Sequence, residues 1–252
     1  MTGPILATQQ LVKRFGGLLA TDALDFEVTP GELHAVIGPN GAGKTTLVKQ
    51  LIGEILPDAG RILFDGADVT RMPSYRRALL GMSRSYQITS IFPDFTSLEN
   101  VAIAAQAHRG HSFGFWQPAD REDVLNAPSL KVLDEVGLSE KANRPAIELA
   151  HGERRQLELA MALVSQPKLL LLDEPMAGMG RRESEAMVKL LATLKGRYTI
   201  VLVEHDMDAV FALADRITVL VYGRRIASGT PLHIRSSVEV RKAYLGDRYA
   251  AR

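Results

Sequence analysis

Apolar runs alternate along the chain with helical patterns, which predicts strands connected by helices. The clearest strand is ELHAVIG, Glu32 to Gly38, an apolar run that stops on a glycine. Two further apolar runs lie in KLLLLDE and in TIVLVEHD, the second ending on His205. The helix predicted between them carries its apolar residues on one face, at Met187, Leu190, Leu191 and Leu194. Strand, crossover helix and strand predict parallel pairing with a right-handed connection.

Other segments predict antiparallel strands. The stretch from Ile5 to Val28 is broken by a Gly-Gly pair, which predicts short strands joined by a turn. Gly60–Val69 has the pattern of a hairpin around Asp65 and Gly66. Near the end, DRITVLVYGRRIASGTP predicts a last hairpin, and SVEVRKAYLGDRYAAR predicts a terminal helix.

Helical patterns dominate two parts of the chain. A first helix is predicted from Lys44 until Pro57, with its apolar residues at helical spacing, Leu47, Leu51 and Ile55. Between Ser97 and Gln166 strand signals vanish, and helical patterns are interrupted only by a Gly, Phe, Trp and Pro cluster at Gly110–Pro118. This part is predicted to be a helical insertion into the sheet.

The order of elements predicts one α/β domain with a mostly parallel sheet core, an N-terminal antiparallel β subdomain and an inserted α-helical subdomain. The catalytic core with its β subdomain is predicted at about 1–86 and 158–235. The helical subdomain is predicted at about 87–157 and a C-terminal helix at 236–252. The chain of 252 residues is long enough for one such domain.

Composition excludes several classes of protein. With 46% hydrophobic and 23% charged residues, the chain is typical of a globular protein. Its formal charge of +1 gives no reason to expect nucleic acid or an anionic membrane as the main partner. It has no cysteine, which excludes disulfides and thiolate metal sites and fits the cytosol. No signal peptide is recognisable, and no apolar run reaches the roughly 18 residues of a membrane helix. If the protein acts at a membrane, another chain must cross it.

The strongest chemical signal is GPNGAGKT, Gly38 to Thr45, which matches G-x-x-x-x-G-K-[ST] between a predicted strand and a helix. Its glycines let backbone N–H groups surround phosphate oxygens, and the helix adds the positive end of its dipole. Lys44 is expected to contact the β and γ phosphates, and Thr45 to bind Mg²⁺. The fold is therefore predicted to be that of a P-loop NTPase. The expected nucleotide contacts are Gly38, Pro39, Asn40, Gly41, Ala42, Gly43, Lys44, Thr45 and Thr46.

Candidate catalytic groups follow three other predicted strands. Asp173 is suited to hold Mg²⁺, mostly through water, and Glu174 to polarise a water for in-line attack on the γ phosphate. His205 is placed to hydrogen-bond the γ phosphate and orient that water, although a lone histidine is more often structural. Gln87, after GMSRSYQ, is expected to complete the Mg²⁺ shell with its amide oxygen. The predicted catalytic set is Glu174, His205, Lys44 and Gln87, and the metal set is Thr45, Gln87 and Asp173.

These motifs, with Phe15 and LAHGERRQ, occur in the order and approximate spacing of the ATP-binding cassette (ABC) ATPases. The resemblance covers nearly the whole chain. KRFGGLLA, YQITSIFPDFTSLENV, ERRQLELAMAL and RKAYLGD are similar to the branched-chain amino acid importers of bacteria. Related ATPases that serve urea, amides, aromatic acids or lipopolysaccharide share much of this core and stay as alternatives.

The resemblance implies a head-to-tail dimer with two ATP molecules, and Mg²⁺, at its interface. LAHGERRQ would then face the γ phosphate bound to the partner's P-loop, with Gly152 offering a backbone N–H. The implied contacts in this motif are Leu149, Ala150, His151, Gly152 and Glu153. Phe15 matches the aromatic residue that stacks on adenine, although without the family such a residue is more often core.

The chain departs from the family's LSGGQ pattern. Ala150 replaces the serine, and loss of its hydrogen bond to a charged group costs on the order of 1.5–3 kcal/mol. We expect backbone contacts to suffice, with His151 either compensating or simply facing solvent. Ala177–Gly180, where the family often has an acid, contains none. Signalling across the dimer through that loop is therefore an open question.

The resemblance also implies partners. These are a second ABC ATPase subunit of the same or a related chain, two transmembrane permease subunits and, indirectly, a periplasmic solute-binding protein, with no nucleic acid expected. The expected location is peripheral, on the cytoplasmic face of the inner membrane. Residues Ile91 to Phe95 are a candidate groove for a permease helix or, equally, packing beneath the helical lobe. A soluble ABC ATPase acting on DNA or ribosomes is the second hypothesis, and a P-loop GTPase or kinase the third.

Overall fold

The computed structural model of the protein describes residues 3–85, 91–109 and 119–245. The strands in chain order are β1 (Leu6–Phe15), β2 (Leu18–Val28), β3 (Leu33–Ile37), β4 (Ala59–Phe64), β5 (Ala67–Asp68), β6 (Met82–Ser85), β7 (Leu169–Asp173), β8 (Thr199–Val203), β9 (Arg216–Val221) and β10 (Arg224–Gly229). The helices are α1 (Lys44–Leu51), α2 (Ser74–Leu79), α3 (Ser97–Arg109), α4 (Ala119–Glu135), α5 (His151–Leu163), α6 (Arg181–Leu194), α7 (Met207–Leu213), α8 (Pro231–Ser236) and α9 (Val238–Val240).

The first sheet is antiparallel and has the order β2-β1-β4-β5. The hairpins predicted for the N-terminal region and for Gly60–Val69 are both confirmed. The prediction of short N-terminal strands is wrong, because β1 and β2 have 10 and 11 residues. Irregularities in the register, between Thr8 and Leu11 for example, interrupt the alternation of buried and exposed positions. These bulges made the two long strands look like shorter pieces.

The second sheet has the order β10-β9-β3-β8-β7-β6 and is parallel except for β10. All residues of β3, β7 and β8 are buried, because elements cover both faces of these central strands. The predicted βαβ unit is confirmed as β7, α6 and β8, with the four apolar residues of α6 buried. Parallel pairing brings the carboxyl ends of β3, β7 and β8 to one edge of the sheet, where ligands bind in such folds.

The helical part contains α3, α4 and α5, which contact one another and share a hydrophobic core with the sheet. The described residues between Ser97 and Gln166 contain no strand, as predicted, apart from an isolated bridge between Thr96 and Pro145. Helix α5 continues to Leu163, past the boundary predicted near residue 157. The cluster at Gly110–Pro118 lies outside the described residues.

Helix α1 ends earlier than predicted. Its last helical residue is Leu51, and Gly53 follows with a φ of 81°, so Ile55 lies outside the helix. The guanidinium of Arg77, from α2, donates to the carbonyls of Gln50 and Leu51 at 2.8 and 2.6 Å. A Cβ at position 53 would lie 2.9 Å from Arg77 Nε. The helix stops at Leu51 because Gly53 adopts the left-handed conformation and the N–H of Glu54 donates to the carbonyl of Lys49 at 2.9 Å. Arg77 then satisfies the carbonyls at the end of the helix.

We expect Arg77→Met to lower the free energy of unfolding by about 3 kcal/mol or more. Arg77 is 1% exposed and also donates to the carbonyls of Met72 and Thr70, so its removal leaves several buried acceptors unpaired. Burial lowers the pKa of Arg77 to about 10, so the guanidinium is charged at neutral pH. Urea denaturation measures the change. The control is Arg76→Met, since Arg76 is exposed on the same helix; an equal loss in both variants would contradict the prediction.

The last hairpin is confirmed as β9 and β10. The terminal helix predicted from residue 236 starts at Val238, after its N-cap Ser237, and its described part is helical through Leu245. Helix α8 ends at Ser236, α9 spans three residues and a π-helical turn covers Arg241–Leu245. The side-chain oxygen of Ser237 accepts from the N–H of Val240. This cap starts α9 and separates it from α8. Residues 246–252 lie outside the described part of the chain. None of the described helices is long and apolar enough to cross a membrane.

Candidate functional site

The phosphate loop connects β3 to α1, as the sequence predicts. Gly38 and Gly43 have φ angles of 149° and 97°. A Cβ at Gly38 would lie 2.0 Å from the carbonyl oxygen of Leu220, and one at Gly43 would lie 2.1 Å from that of Ala20. The neighbouring strands therefore approach the loop so closely that only glycine fits at these two positions.

Lys44 begins α1, and its Nζ donates to the carbonyls of Gly38 and Pro39 at 2.7 and 3.1 Å. Burial lowers the pKa of Lys44, while the carboxylates of Glu174 and Asp173 act in the opposite direction. The ammonium group and the two carboxylates are therefore close enough to interact electrostatically. The structure thus brings together three residues that the sequence placed after two separate strands.

Asp173 ends β7, and its carboxyl group is buried. Arg84 Nη2, from β6, donates to Oδ2 at 3.1 Å, whereas Oδ1 has no hydrogen-bond partner among the described residues. Burial raises the pKa of Asp173, and the nearby Arg84 lowers it. A buried carboxylate oxygen without a partner, beside the P-loop, fits Mg²⁺ or a water of its shell. This fit is consistent with the predicted metal role of Asp173 and with the hydroxyl of Thr45 as a second ligand.

Glu174 has a φ of 52°, which is uncommon for a residue other than glycine. Its backbone N–H donates to the carbonyl of Val203, at the end of β8, at 2.8 Å. The chain therefore turns sharply at Glu174 directly after β7. Strained backbone of this kind is found where a side chain has to be held in one place for function.

Sequence reasoning missed Glu204, which is 1% exposed and directly follows β8. Its Oε1 accepts from the N–H of Met176, and its Oε2 accepts from the N–H of His205 at 2.9 Å. Glu204 therefore connects the turn after Glu174 to the turn that carries His205. The only signal in the sequence was its position beside His205 at the end of an apolar run.

The prediction that β8 ends on His205 is wrong, because the strand ends at Val203. His205 lies two residues later, its side chain is 63% exposed and its Nδ1 is 3.6 Å from Glu204 Oε2. The imidazole is thus held beside a buried carboxylate and open to solvent at the edge of the sheet. This position suits a group that meets a ligand at the surface.

The sequence predicts two further site residues, one for adenine and one for the metal ion. Phe15 ends β1 and is 46% exposed, with Lys13 Nζ 5.5 Å from its ring centroid. The alternative prediction, that Phe15 is part of the hydrophobic core, is therefore wrong. Gln87 lies outside the described residues, so its predicted roles in catalysis and in metal binding stay predictions. Arg84, three residues before it, was missed by the sequence analysis.

The start of α5 carries the predicted signature motif. Ala150 is the N-cap residue, and its N–H donates to Glu153 Oε2 at 3.0 Å. Glu153 also forms an ion pair with Lys141, which lowers the pKa of Glu153. Leu149 is buried. In this structure the carboxylate of Glu153 therefore accepts a hydrogen bond from the start of the helix that contains it.

The next two residues of the motif contact the loop after Pro175. His151 is exposed, and its Nε2 is 3.4 Å from the carbonyl oxygen of Ala177. The N–H of Gly152 donates to Glu183 Oε1, on α6, at 3.2 Å. No hydrogen bond or ion pair between described residues joins Leu149–Glu153 to Gly38–Thr46.

A groove of about 330 Å³ lies between the sheet and the helical part. Its wall includes Tyr75 from α2, His108 from α3 and Glu158 from α5. Glu158 Oε1 is buried with no hydrogen-bond partner in the described ranges, and burial raises the pKa of this residue. None of the residues Ile91–Phe95 lines this groove, so their predicted role in receiving a permease helix stays a prediction. Phe92 and Phe95 are instead exposed, with ring centroids 5.5 Å apart.

Comparison with known proteins shows similarity over almost the whole chain. A family profile described as ABC transporter matches residues 21–177, and one described as branched-chain amino acid ATP-binding cassette transporter matches residues 224–250. The high-affinity branched-chain amino acid transport ATP-binding protein BraF of Pseudomonas aeruginosa is 39% identical, over 98% of this chain and all of BraF. LivG of Escherichia coli K12, which has the same description, is 38% identical over 98% of this chain and all of LivG.

Solved structures are similar as well. The crystal structure of the ADP conformation of MJ1267, an ATP-binding cassette of an ABC transporter, has a TM-score of 0.85 and 30% identity, covering 98% of this chain and 100% of that one. The phosphate loop, the carboxylates after β7 and the two-sheet architecture with a helical part agree with these similarities. The chain therefore belongs to the ATP-binding cassette (ABC) transporter family, as one of its ATPase subunits.

Proposed function

We propose that this chain powers the import of branched-chain amino acids by hydrolysing ATP as part of a dimer. The support for the solute is the identity of 39% to BraF over all of BraF, together with the C-terminal profile match at residues 224–250. The observation that carries the mechanism is the cluster of Lys44, Asp173 and Glu174 at one edge of the sheet.

In this proposal each side chain of the cluster has one role. Lys44 and the backbone N–H groups of Gly38–Thr46 bind the phosphates, and Phe15 stacks on the adenine. Asp173 and Thr45 hold Mg²⁺, which would supply positive charge against the phosphate oxygens. Glu174 accepts a proton from the attacking water, and His205 donates a hydrogen bond to the γ phosphate. Gln87 is proposed as a further ligand of the ion.

A dimer is proposed because one chain provides only part of an ATP site. Leu149–Glu153 at the start of α5 would close over the γ phosphate bound to the partner's P-loop, with the N–H of Gly152 as donor. The positive end of the α5 dipole favours an anion at this place. Two such chains, arranged head to tail, complete both sites.

The groove that includes Tyr75, His108 and Glu158 is proposed to receive a helix of a permease subunit. Three large apolar side chains of α2 or just after it are exposed, Tyr75, Leu79 and Leu80. Exposed apolar surface beside a cavity is typical of a protein interface. The location follows from this contact, at the cytoplasmic face of the membrane.

The test is reconstitution with the permease subunits that copurify with this chain from membranes, and measurement of labelled leucine and urea uptake. We expect ATP-dependent uptake of leucine, isoleucine and valine and none of urea. The variant Tyr75→Arg should release the chain from the permeases while its ATPase activity in solution is unchanged. Urea uptake without leucine uptake would reject the proposed solute, and recovery of the chain only without permeases would favour a soluble ABC ATPase.

Replacing His205 by alanine should lower the rate of ATP hydrolysis at least tenfold and change ATP affinity less than threefold. The exposed imidazole is proposed to act on the γ phosphate, whereas the P-loop makes most of the binding contacts. Single-turnover hydrolysis and equilibrium binding of labelled ATP measure the two quantities. His233→Ala, on α8, is the control. Equal losses of rate and of affinity would show that His205 only binds.

A further inference from the structure

The N-cap residue of helix α5 has no side-chain acceptor. An N-cap serine would accept a backbone N–H from the first turn, but Ala150 has no acceptor. The carboxylate of Glu183 supplies one from the first turn of α6, with Oε1 accepting from Gly152 N–H at 3.2 Å and Oε2 accepting from Gly180 N–H at 3.0 Å. One carboxylate thus connects the starts of two helices.

The contact depends on the absence of a side chain at Gly152. A Cβ built there would lie 3.0 Å from Glu183 Oε1, which is closer than such atoms normally approach. The same turn also meets the loop after Pro175 through His151 Nε2, 3.4 Å from the carbonyl oxygen of Ala177. The signature turn and the acid-free loop are therefore joined to each other within one chain.

In the proposed dimer, the N–H of Gly152 is the donor for the γ phosphate on the partner's P-loop. That N–H already holds an anion, because the Glu183 carboxylate accepts from it. Two anions at one donor repel each other strongly when water is excluded from the interface. The carboxylate must therefore leave Gly152 before the phosphate can bind.

We infer that Glu183 is an internal gate on ATP-driven dimer closure. This inference rests on the proposed dimer and assigns Glu183 a regulatory role. The carboxylate occupies the signature turn in the open state and moves away when the partner's ATP arrives. Its second contact, with Gly180 N–H, lies in the loop after Pro175, so the movement carries the closing signal into that loop. Glu183 therefore supplies the acid for signalling through this loop, since Ala177–Gly180 contains none.

The experiment measures the dissociation constant of the dimer by analytical ultracentrifugation, in ATP and in ADP, with every variant in a Glu174→Gln background that is expected to block hydrolysis. Glu183→Gln removes the charge and keeps the size and one acceptor. Glu183→Ala removes the contact altogether. The control is Glu185→Gln, which makes the same change in net charge on the same helix, where Glu185 pairs only with Arg181 among the contacts of the described residues.

We expect Glu183→Gln to lower the dissociation constant in ATP about tenfold, equivalent to 1.4 kcal/mol. No change is expected in ADP, because ADP has no γ phosphate to compete for Gly152. Glu185→Gln should behave like its parent. An unchanged or weaker ATP dimer in Glu183→Gln would overturn the gate and leave the dimer standing. Absence of an ATP dimer in every variant would overturn both the gate and the proposed dimer. Should Glu183→Ala fail to fold, Glu183→Gln still decides.

Discussion

Glu174→Gln is expected to lower the rate of ATP hydrolysis by about 10²–10⁴-fold while ATP binding is retained. The amide keeps the size of the side chain but cannot accept the proton of the attacking water. Glu174 lies directly after β7, where a φ of 52° and a hydrogen bond from its N–H to the carbonyl of Val203 hold the backbone. Because hydrolysis would reopen the dimer, blocked hydrolysis should leave a stable ATP-bound dimer. Phosphate release and light scattering measure the two effects.

The control for this experiment is Glu185→Gln, which removes an exposed carboxylate from α6. It should hydrolyse ATP at the rate of the unchanged chain. Turnover of Glu174→Gln within about threefold of the unchanged chain would remove Glu174 from the role of general base. Loss of nucleotide binding in the same variant would show a binding role instead.

For Lys44→Ala we expect the loss of tight ATP binding, with affinity reduced at least a hundredfold. Lys44 is the only basic residue of Gly38–Thr46, and burial lowers its pKa while Glu174 and Asp173 oppose that effect. The ammonium group therefore provides charge against the phosphates in a site with two carboxylates nearby. Without it, those carboxylates would repel the nucleotide. Isothermal titration with a slowly hydrolysed ATP analogue measures the affinity.

The matched control for this change is Lys49→Ala, which removes a basic residue from the last turn of the same helix. Its ATP affinity should stay within about threefold of the unchanged chain, and its thermal stability reports any damage to α1. An equal loss of affinity in both variants would mean that Lys44 acts through the general charge of the helix. Retained affinity in Lys44→Ala would contradict the phosphate role.

Much of the site could be predicted from sequence because its parts are local. A P-loop requires a strand, a glycine turn and a helix start that are consecutive in the chain, and ELHAVIGPNGAGKT contains all three. Four consecutive leucines before Asp173 predict a buried strand whose end carries the acids. The resemblance to the family added the proposed role of LAHGERRQ at the partner's phosphate. The residues of the motif do not indicate this role by themselves.

Residues that work through distant partners were not predictable. Arg84 and Asp173 are 89 positions apart, and Gly152 and Glu183 are 31 apart. A charged residue in a sequence is normally solvent-exposed, so nothing marked these side chains as partners of the site. The end of α1 was misplaced for a different reason, since the prediction used Pro57 as the stop signal although Gly53, which ends the helix, is a local one.

By itself, the sequence determined most of the strands and helices and which segments are candidates for phosphate and metal chemistry, because periodicity and consecutive motifs are properties of neighbouring residues. Tertiary structure alone decided which side chains hold those groups in place: Glu204 between two turns, Arg84 on Asp173 and Glu183 on Gly152. The physical reason is that a buried carboxylate or guanidinium is stable only where the fold brings donors or acceptors to it. Those partners lie on other strands and helices, at distances along the chain that no local pattern encodes.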